Sequence, residues 1–156
     1  SMPKQKITTF LWFNQEAEEA VDFYTSIFNN SSIISSSRYS KGSPMPEGTL
    51  MTAMFVLDGQ EFIALNGGPM FQFTPAISLS VACEDQREID YLWDALCSGG
   101  SPGQCGWLKD RFGLSWQIVP KNMGELLSPP DAEKAKRAMQ AMLQMNKLDI
   151  QVLRNA

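Results

Sequence analysis

The fold is decided by the segment Ile77-Ser78-Leu79-Ser80-Val81-Ala82, because after it the chain repeats an order of elements that it has already used. Apolar side chains alternate here with small ones, which predicts a strand with one buried face. Asp85 and Glu88 follow with the spacing of a capping box, so we expect a helix to begin there. Its predicted buried stripe is Ile89, Leu92, Trp93 and Leu96.

Glycines separate this helix from two further predicted strands. Ser98-Gly99-Gly100 is typical of a helix end. Strand patterns follow at 104–108 and 114–119, and Gly113 marks the turn between them. The segment from 75 to 120 is therefore predicted to be one module of strand, helix and antiparallel strands.

The same order of predicted elements occurs roughly seventy residues earlier. The order of elements is repeated, although the two segments share little sequence identity. Residues 7–13 predict a buried strand, and Asn14 offers an N-cap for a helix. The spacing of the apolar residues then predicts a helix with one buried stripe. Its members are Ala17, Ala20, Val21, Tyr24, Ile27 and Phe28.

Three strands are predicted after this first helix, at 33–39, 50–57 and 60–66. Asp58-Gly59 joins the last two as a tight hairpin. The sequence thus predicts an α+β fold in which two βαβββ-type modules, residues 6–69 and 75–120, form a curved mixed sheet with a cleft. The prediction treats residues 1–156 as a single domain with a C-terminal helical tail.

The tail, residues 128–156, differs in kind from the modules. Ser128-Pro129-Pro130-Asp131 predicts a turn and a helix start. The segment 148–153 fits a last helical turn or an edge strand, and helix is favoured. The main tail helix has a stripe of small residues and methionines that needs a partner face on the parent domain or on a second subunit, or that serves as an adaptable binding surface. The stripe is Ala135, Ala138, Met139 and Met142.

Composition excludes several classes of function. The net charge of −4 argues against nucleic-acid binding, and no apolar run approaches the roughly 20 residues that span a bilayer. The absence of histidine removes Ser-His-Asp and Cys-His nucleophile systems and histidine-based metal sites. The cysteines, Cys83, Cys97 and Cys105, have no Cys-x-x-Cys spacing, and no export signal is visible. We therefore expect a cytoplasmic protein that interacts with neither nucleic acid nor membrane.

Several motifs together resemble the PhnB-like branch of the vicinal oxygen chelate superfamily, which has the glyoxalase and bleomycin-resistance fold. The resemblance covers nearly the whole chain. It rests on Leu11-Trp12-Phe13, Ala17-Glu18-Glu19-Ala20, Phe23-Tyr24, Leu65-Asn66-Gly67-Gly68-Pro69, the stretch from Cys105 to Gln117, and the tail segments 141–145 and 147–150.

The resemblance implies a homodimer and a ligand cleft. Superfamily chemistry usually uses a divalent metal held by His and Glu, and the matching positions here are Thr9 or a neighbour, Thr52 and Gln117. These neutral side chains are poor ligands for such an ion, so we expect neither a metal nor another cofactor. Branch members are often called 3-demethylubiquinone-9 3-methyltransferases, but no glycine-rich G-x-G-x-x-G loop occurs here.

The candidate ligand-binding residues of the cleft come from both modules. Gln117 is expected either to bind ligand or to join a polar network, and Thr52 is either structural or part of the cleft. Asn66 belongs to a glycine-rich turn or ligand clamp, and Asp110 with Arg111 forms an exposed pair, shapes a turn or binds ligand. The full set is Trp12, Thr52, Met54, Asn66, Cys105, Trp107, Arg111 and Gln117.

The functional prediction is a metal-free protein that binds a small organic molecule. The alternatives are a methyltransferase of the kind the family name suggests, or a glyoxalase-type lyase or isomerase. A subunit that binds a partner through its methionine-containing helix is a third possibility. The sequence identifies no catalytic residue, and it leaves open whether the chain is an enzyme.

Overall fold

A computed structural model describes residues 5–156 and divides the chain into two compact units, one ending at Gln72 and the other beginning at Phe73. Each unit contains one four-stranded mixed sheet with a helix packed on it. The predicted α+β fold of two similar modules with a C-terminal helix is confirmed. Within the described residues, every helix is too short or too polar to cross a bilayer.

The first unit follows the order βαβββ. Its sheet is arranged β1-β4-β3-β2, with β1 parallel to β4 and the other pairs antiparallel. Asp58 and Gly59, both with positive φ, form the predicted hairpin turn between β3 and β4. The elements are β1 (Thr9–Phe13), α1 (Ala17–Ile27), β2 (Ser32–Arg38), β3 (Leu50–Leu57) and β4 (Gln60–Asn66).

The core of the first unit lies between α1 and one face of this sheet. Tyr24 of α1 stacks on Phe55 of β3 with ring centroids 6.4 Å apart, and Phe55 stacks on Phe62 of β4 at 5.5 Å. The predicted stripe of α1 is buried from Ala17 to Ile27. Strand alternation therefore leaves the odd-numbered β4 residues on the opposite face of the sheet.

Two local predictions for this unit were wrong. The first strand begins at Thr9 rather than at residue 7, and the Ile7 side chain is 86% exposed. Helix α1 begins after Glu16, not after Asn14, and no local side chain caps it. The N–H of Ala17 instead donates to Asn66 Oδ1 at 2.9 Å, which is a contact between residues 49 positions apart. A capping partner that lies so far along the chain leaves no local signal.

The second unit repeats the plan, with sheet order β5-β8-β7-β6. The capping box is confirmed, since Glu88 N donates to Asp85 Oδ1 at 3.0 Å while the Glu88 side chain accepts from Glu84 N at 2.9 Å. The stripe of α2 is buried as predicted. The elements are β5 (Ser78–Cys83), α2 (Gln86–Cys97), β6 (Ser101–Pro102), β7 (Trp107–Lys109) and β8 (Ser115–Pro120).

The tail adds three helices, α3 (Met123–Leu127), α4 (Ala132–Leu143) and α5 (Ile150–Asn155). Asp131 caps α4, and 148–153 includes helix rather than strand, as favoured. The sequence prediction missed α3, whose five residues show no clear period. In the predicted stripe only Ala138 is fully buried, and Met139 is 41% exposed. The α4 stripe is therefore only partly covered in this chain.

Candidate functional site

The first sheet has an uncovered face on the side away from α1, and we call it the open face. Register places its side chains in two rows across the order β1-β4-β3-β2. Directly paired residues on one face are close enough to share a ligand. The rows are Trp12, Leu65, Thr52 and Ser37, and then Phe10, Ile63, Met54 and Ser35.

The open face changes chemically from β1 to β2. Its β1 end is aromatic, because Phe10 is 57% exposed and the Trp12 ring meets Phe71 edge-on at 4.9 Å between centroids. Its β2 end is hydroxylic, because Ser37 Oγ and Thr52 Oγ1 share a hydrogen bond of 2.7 Å. None of the eight side chains bears a charge. These two rows therefore form an apolar surface with neutral polar groups at one side.

Trp12 is held in place by the glycine-rich turn that follows β4. Its indole Nε1 donates to Gly68 O at 3.0 Å. A Cβ atom at Gly67 would lie only 2.4 Å from the Trp12 ring, so that position requires glycine. The turn thus fixes the aromatic end of the open face. Phe71, which closes that end, comes directly after the turn.

Asn66 lies on the opposite face of the sheet from Trp12. The side chain is 1% exposed, its Oδ1 accepts from Ala17 N, and its Nδ2 donates to Leu50 O at 3.0 Å. Both ends of the carboxamide are therefore engaged by the protein. We assign Asn66 a role in building the first module, and its predicted ligand contact is not retained in the site proposed below.

The second unit brings together only two of its four predicted site residues. Trp107 and Gln117 are register partners on β7 and β8. Gln117 Nε2 donates to Ser78 Oγ at 3.0 Å, so the residue belongs to a polar network, which is one of the two roles expected from sequence. Trp107 is half-buried. This face of the second sheet is polar where the open face is apolar.

Cys105 and Arg111 lie in loops on either side of β7. Cys105 adopts a positive φ, and its N–H donates to Met145 O at 2.8 Å, so the loop joins the tail to the module. The Arg111 guanidinium lies over the Phe112 ring at 4.9 Å. Neither residue lies on a strand with Trp107 and Gln117. Their predicted contact with a ligand remains a prediction.

Asp110 shapes the turn before β8, which is one of the roles that sequence left open. It is 3% exposed, and its Oδ1 accepts from Phe112 N at 2.8 Å and Leu114 N at 3.1 Å. Its Oδ2 accepts from Trp116 Nε1 at 2.9 Å. All of these bonds hold the protein together, so the carboxylate is structural.

The other charged and thiol candidates are also engaged or buried. Arg38 pairs with Glu18 and donates to Gly48 O at 3.0 Å, and its hydrogen bond is the main cause that lowers the pKa of Glu18. Burial raises the pKa of the Cys83 thiol to about 12, and it also raises the pKa of Cys97. These two thiols are therefore poorly suited to act as thiolate nucleophiles.

A concavity of about 790 Å³ lies elsewhere in the second unit, between the start of α2, α3 and α5. Its lining includes Glu84, Lys121, Glu125 and Arg154. Glu84 and Lys121 form an ion pair with both side chains more than half exposed. None of the residues predicted from sequence to bind a ligand lines this concavity.

Comparison with known proteins establishes the family. The family described as 3-demethylubiquinone-9 3-methyltransferase matches residues 5–119. A PhnB protein of Bacillus cereus, described as a 3-demethylubiquinone-9 3-methyltransferase, is 44% identical over 74% of this chain and 99% of its own, with a TM-score of 0.70. This chain belongs to that family. The matched residues end before the tail, so the tail's part of the resemblance lies outside this match.

More distant structures share the fold of this PhnB-like chain. A Pseudomonas aeruginosa protein is 22% identical over 76% of this chain and 98% of its own, with a TM-score of 0.63. The fosfomycin resistance protein FosX of Listeria monocytogenes, described in complex with Mn(II) and sulfate, is 15% identical over 81% of this chain and all of its own, with a TM-score of 0.57. At these identities the likenesses show a shared fold. No curated protein matches the sequence.

Thr52 and Gln117, which the resemblance matches to metal-binding positions, are neutral and poorly suited to hold a divalent ion. Thr52 is bonded to Ser37, and Gln117 is bonded to Ser78. Neither side chain has the negative charge that offsets the lost hydration of such an ion. Across residues 5–156, no group of three or more cysteine, aspartate and glutamate side chains is arranged to hold a metal.

Proposed function

We propose that this PhnB-like protein binds a small organic molecule without a metal, and that the open face forms the floor of its site. The observation that supports this most directly is the pair of rows across the first sheet. Five apolar or aromatic side chains and three hydroxyl side chains lie together in these rows, and none of the eight is charged. Ligand sites are typically apolar surfaces with a few placed polar groups.

The chemistry of the open face favours binding over catalysis. The hydroxyl groups of its two rows belong to Ser35, Ser37 and Thr52, and hydroxyl groups are weak acids and bases unless a neighbouring base activates them. The chain contains no histidine to do so. Arg38, the cation on the same strand, faces the other way and is paired with Glu18.

A screen of neutral aromatic fragments by thermal shift tests this proposal. We expect some fragments to raise the Tm of the parent chain and to lose this effect in Met54→Glu, because the new carboxylate would sit in the middle of the apolar face. Tyr91→Glu, which puts the same charge at an exposed position on α2, is the control and should respond like the parent. Equal fragment binding by all three proteins would place the site elsewhere.

The metal-free part of the proposal has its own test. Elemental analysis of the purified chain is expected to find no stoichiometric transition metal, because the available donors are neutral and already hydrogen-bonded. Dialysis against Mn²⁺ or Zn²⁺ followed by a thermal scan is expected to leave the Tm unchanged. One tightly held ion per chain contradicts this part of the proposal.

A methyltransferase is the second candidate, and it rests on the name of the family. The residues connecting strand to helix, 14–16 in the first module and 84–85 in the second, contain no glycine and include carboxylates. They therefore lack the glycine-rich loop that commonly holds a nucleotide-like donor. Stabilisation of the chain by S-adenosylmethionine in a thermal scan would favour this candidate over the binding protein.

We also propose that the chain works as a homodimer in the cytoplasm. The apolar side chains that α4 exposes, Met139 at 41% and Leu143 at 53%, support a subunit contact. The three free cysteines suit a reducing compartment. Light scattering of the parent chain should give a dimer mass, and Leu143→Glu should reduce it while Gln140→Glu, on the same helix, should not. A parent chain that is monomeric at high concentration excludes the dimer.

A further inference from the structure

We infer that the ligand of the open face is a neutral aromatic molecule that has an oxygen substituent, of the phenol class, and that this oxygen bonds to the Ser37–Thr52 hydroxyl pair. This inference rests on the proposed function and specifies the ligand class of the same site. It follows from how aromatic, aliphatic and hydroxyl groups are ordered across the strands.

The aromatic end of the open face indicates that the ligand contains an aromatic ring. Phe10 and Phe71 are each 57% exposed, although burying such side chains is strongly favourable. The Trp12 indole N–H is already bonded to Gly68 O, so the ring can offer only its apolar surface to a ligand. Offset or edge-on contacts with such rings favour a flat aromatic partner.

The hydroxyl end of the open face indicates which substituent the ligand ring carries. Two hydroxyl groups have two protons between them, and the bond of 2.7 Å between Ser37 and Thr52 uses one. The other proton is free to donate to a ligand oxygen, and the remaining lone pairs can accept from a ligand hydroxyl. The pair therefore matches a group that both donates and accepts, as a phenol does.

The spacing of the strands limits the size of the ligand. Thr52 on β3 is separated from Trp12 on β1 by the single strand β4, where Leu65 pairs with both. Two inter-strand steps are about 10 Å. One or two fused aromatic rings with a single oxygen substituent span this distance.

The lack of charged side chains in the two rows indicates that the ligand is neutral. The two rows contain no cation to balance an anionic ligand. Glu61 pairs with Val56 in the next row along the sheet, and its carboxylate would repel an anion. Neutral ligands are therefore favoured over carboxylates, sulfonates and phosphates.

Three probes separate these requirements: 2-naphthol, naphthalene and naphthalene-2-sulfonate, titrated into the full chain by NMR. We expect 2-naphthol to bind about tenfold more tightly than naphthalene, which is the effect of one good hydrogen bond. We expect the sulfonate to bind at least about tenfold more weakly than 2-naphthol, through loss of hydration and repulsion by Glu61.

The double variant Ser37→Ala/Thr52→Val removes both hydroxyl groups and should abolish the preference for 2-naphthol over naphthalene. It is expected to fold, because replacing both partners of a hydrogen bond by apolar groups is nearly neutral. Ser36→Ala is the matched control, since Ser36 is on the same strand but points to the other face, and it should keep the preference.

The outcomes distinguish the inference from the proposed function. If Met54→Glu abolishes binding of all probes but the double variant keeps its preference for 2-naphthol, the site stands and the phenol inference is overturned. If no probe binds the parent chain and Met54→Glu splits a dimer in light scattering, a second copy covers the open face. Both the inference and the proposed site then fail.

Discussion

The two modules have the same order of elements, but in each a different buried polar side chain joins the last strand to other parts of the module. In the first module, Asn66 joins Ala17 and Leu50, which are 49 and 16 residues away. In the second, Asp110 joins Phe112, Leu114 and Trp116, which are 2, 4 and 6 residues away. One fold is thus stabilised by a long-range contact in one copy and by a local contact in the other.

The helix starts differ in the same way. Helix α1 has no local side-chain cap, whereas α2 is capped by Asp85 within its own turn. The sheet faces away from the helices differ as well. The open face of the first module is mainly apolar, and the corresponding face of the second includes Ser78 and Gln117 in a hydrogen bond. The module with the long-range contact is also the one whose sheet face away from the helix is mainly apolar.

We expect the largest loss of stability when Asp110 is replaced. Asp110→Ala leaves the Trp116 indole N–H and two backbone N–H groups without partners, and it should lower the free energy of unfolding by about 4 kcal/mol. Denaturant titration measures this change. Asp110→Asn is the control, because its amide oxygen can still accept both backbone bonds, and it should cost about half as much. Equal losses would mean that the backbone bonds matter little.

We expect the second largest loss of stability when Asn66, which makes the long-range contacts of the first module, is replaced. Asn66→Ala strands Ala17 N and Leu50 O in the core, and we expect a loss of about 3 kcal/mol by denaturant titration. Hydrogen exchange should show the first turn of α1 opening before the rest of the helix. Asn66→Asp keeps the acceptor for Ala17 and should retain protection of that amide even if it is less stable. Unchanged exchange in Asn66→Ala would contradict the proposed link between the two elements.

The local cap of α2 should have a smaller effect. Asp85→Ala removes the side chain that accepts from Glu88 N, and an exposed N-cap of this kind contributes about 1 kcal/mol to stability. Asp85→Ser can still cap and should remain close to the parent in a thermal scan. If Asp85→Ala proves as damaging as Asn66→Ala, the contrast between local and long-range devices fails.

The smallest effect concerns one partly exposed carboxylate on each module. The pKa of Glu18 is lowered mainly by its bond to Arg38, while the pKa of Asp90 is lowered first by Gln86 and then by Lys147. In an NMR titration, Arg38→Gln should raise the pKa of Glu18 to near its ordinary value. Lys147→Gln should leave the pKa of Asp90 partly lowered, because the bond from Gln86 remains.

The sign of the pH dependence follows from these shifts. A carboxyl whose folded pKa is lowered adds stability above its unfolded pKa and loses it as the pH falls through the folded value. The side chains of both pairs are about half exposed, so solvent screening keeps this component small. A rise in stability on acidification through this range would contradict the assigned shifts.

Much of the fold could be predicted because its signals are periodic and local. Strand β3, strand β4 and the hairpin at Asp58-Gly59 are confirmed as predicted, and so is the cap of α2. The misplaced start of α1 has the opposite cause, since its partner Asn66 lies across the sheet. No rule based on neighbouring residues could pair Ala17 with a side chain 49 positions away.

The candidate site was predictable only in part for the same reason. Alternation places Thr52 and Met54 on one face of β3, and the open face contains both together with Trp12. Ser35 and Ser37 were missed because their relevance depends on which β3 residues they pair with. The alternation of β4 could have identified Ile63 and Leu65 as members of the same face.

By itself, the sequence determined two modules of one plan, the faces of their helices and the family to which the chain belongs. These depend on periodicity, turn residues and caps, which act over a few residues. Only the tertiary structure decided that Asn66 builds the core while Trp12, a register partner of its neighbour Leu65, faces outward. Register between strands sets such assignments, because shifting a pairing by one residue reverses the face of every side chain.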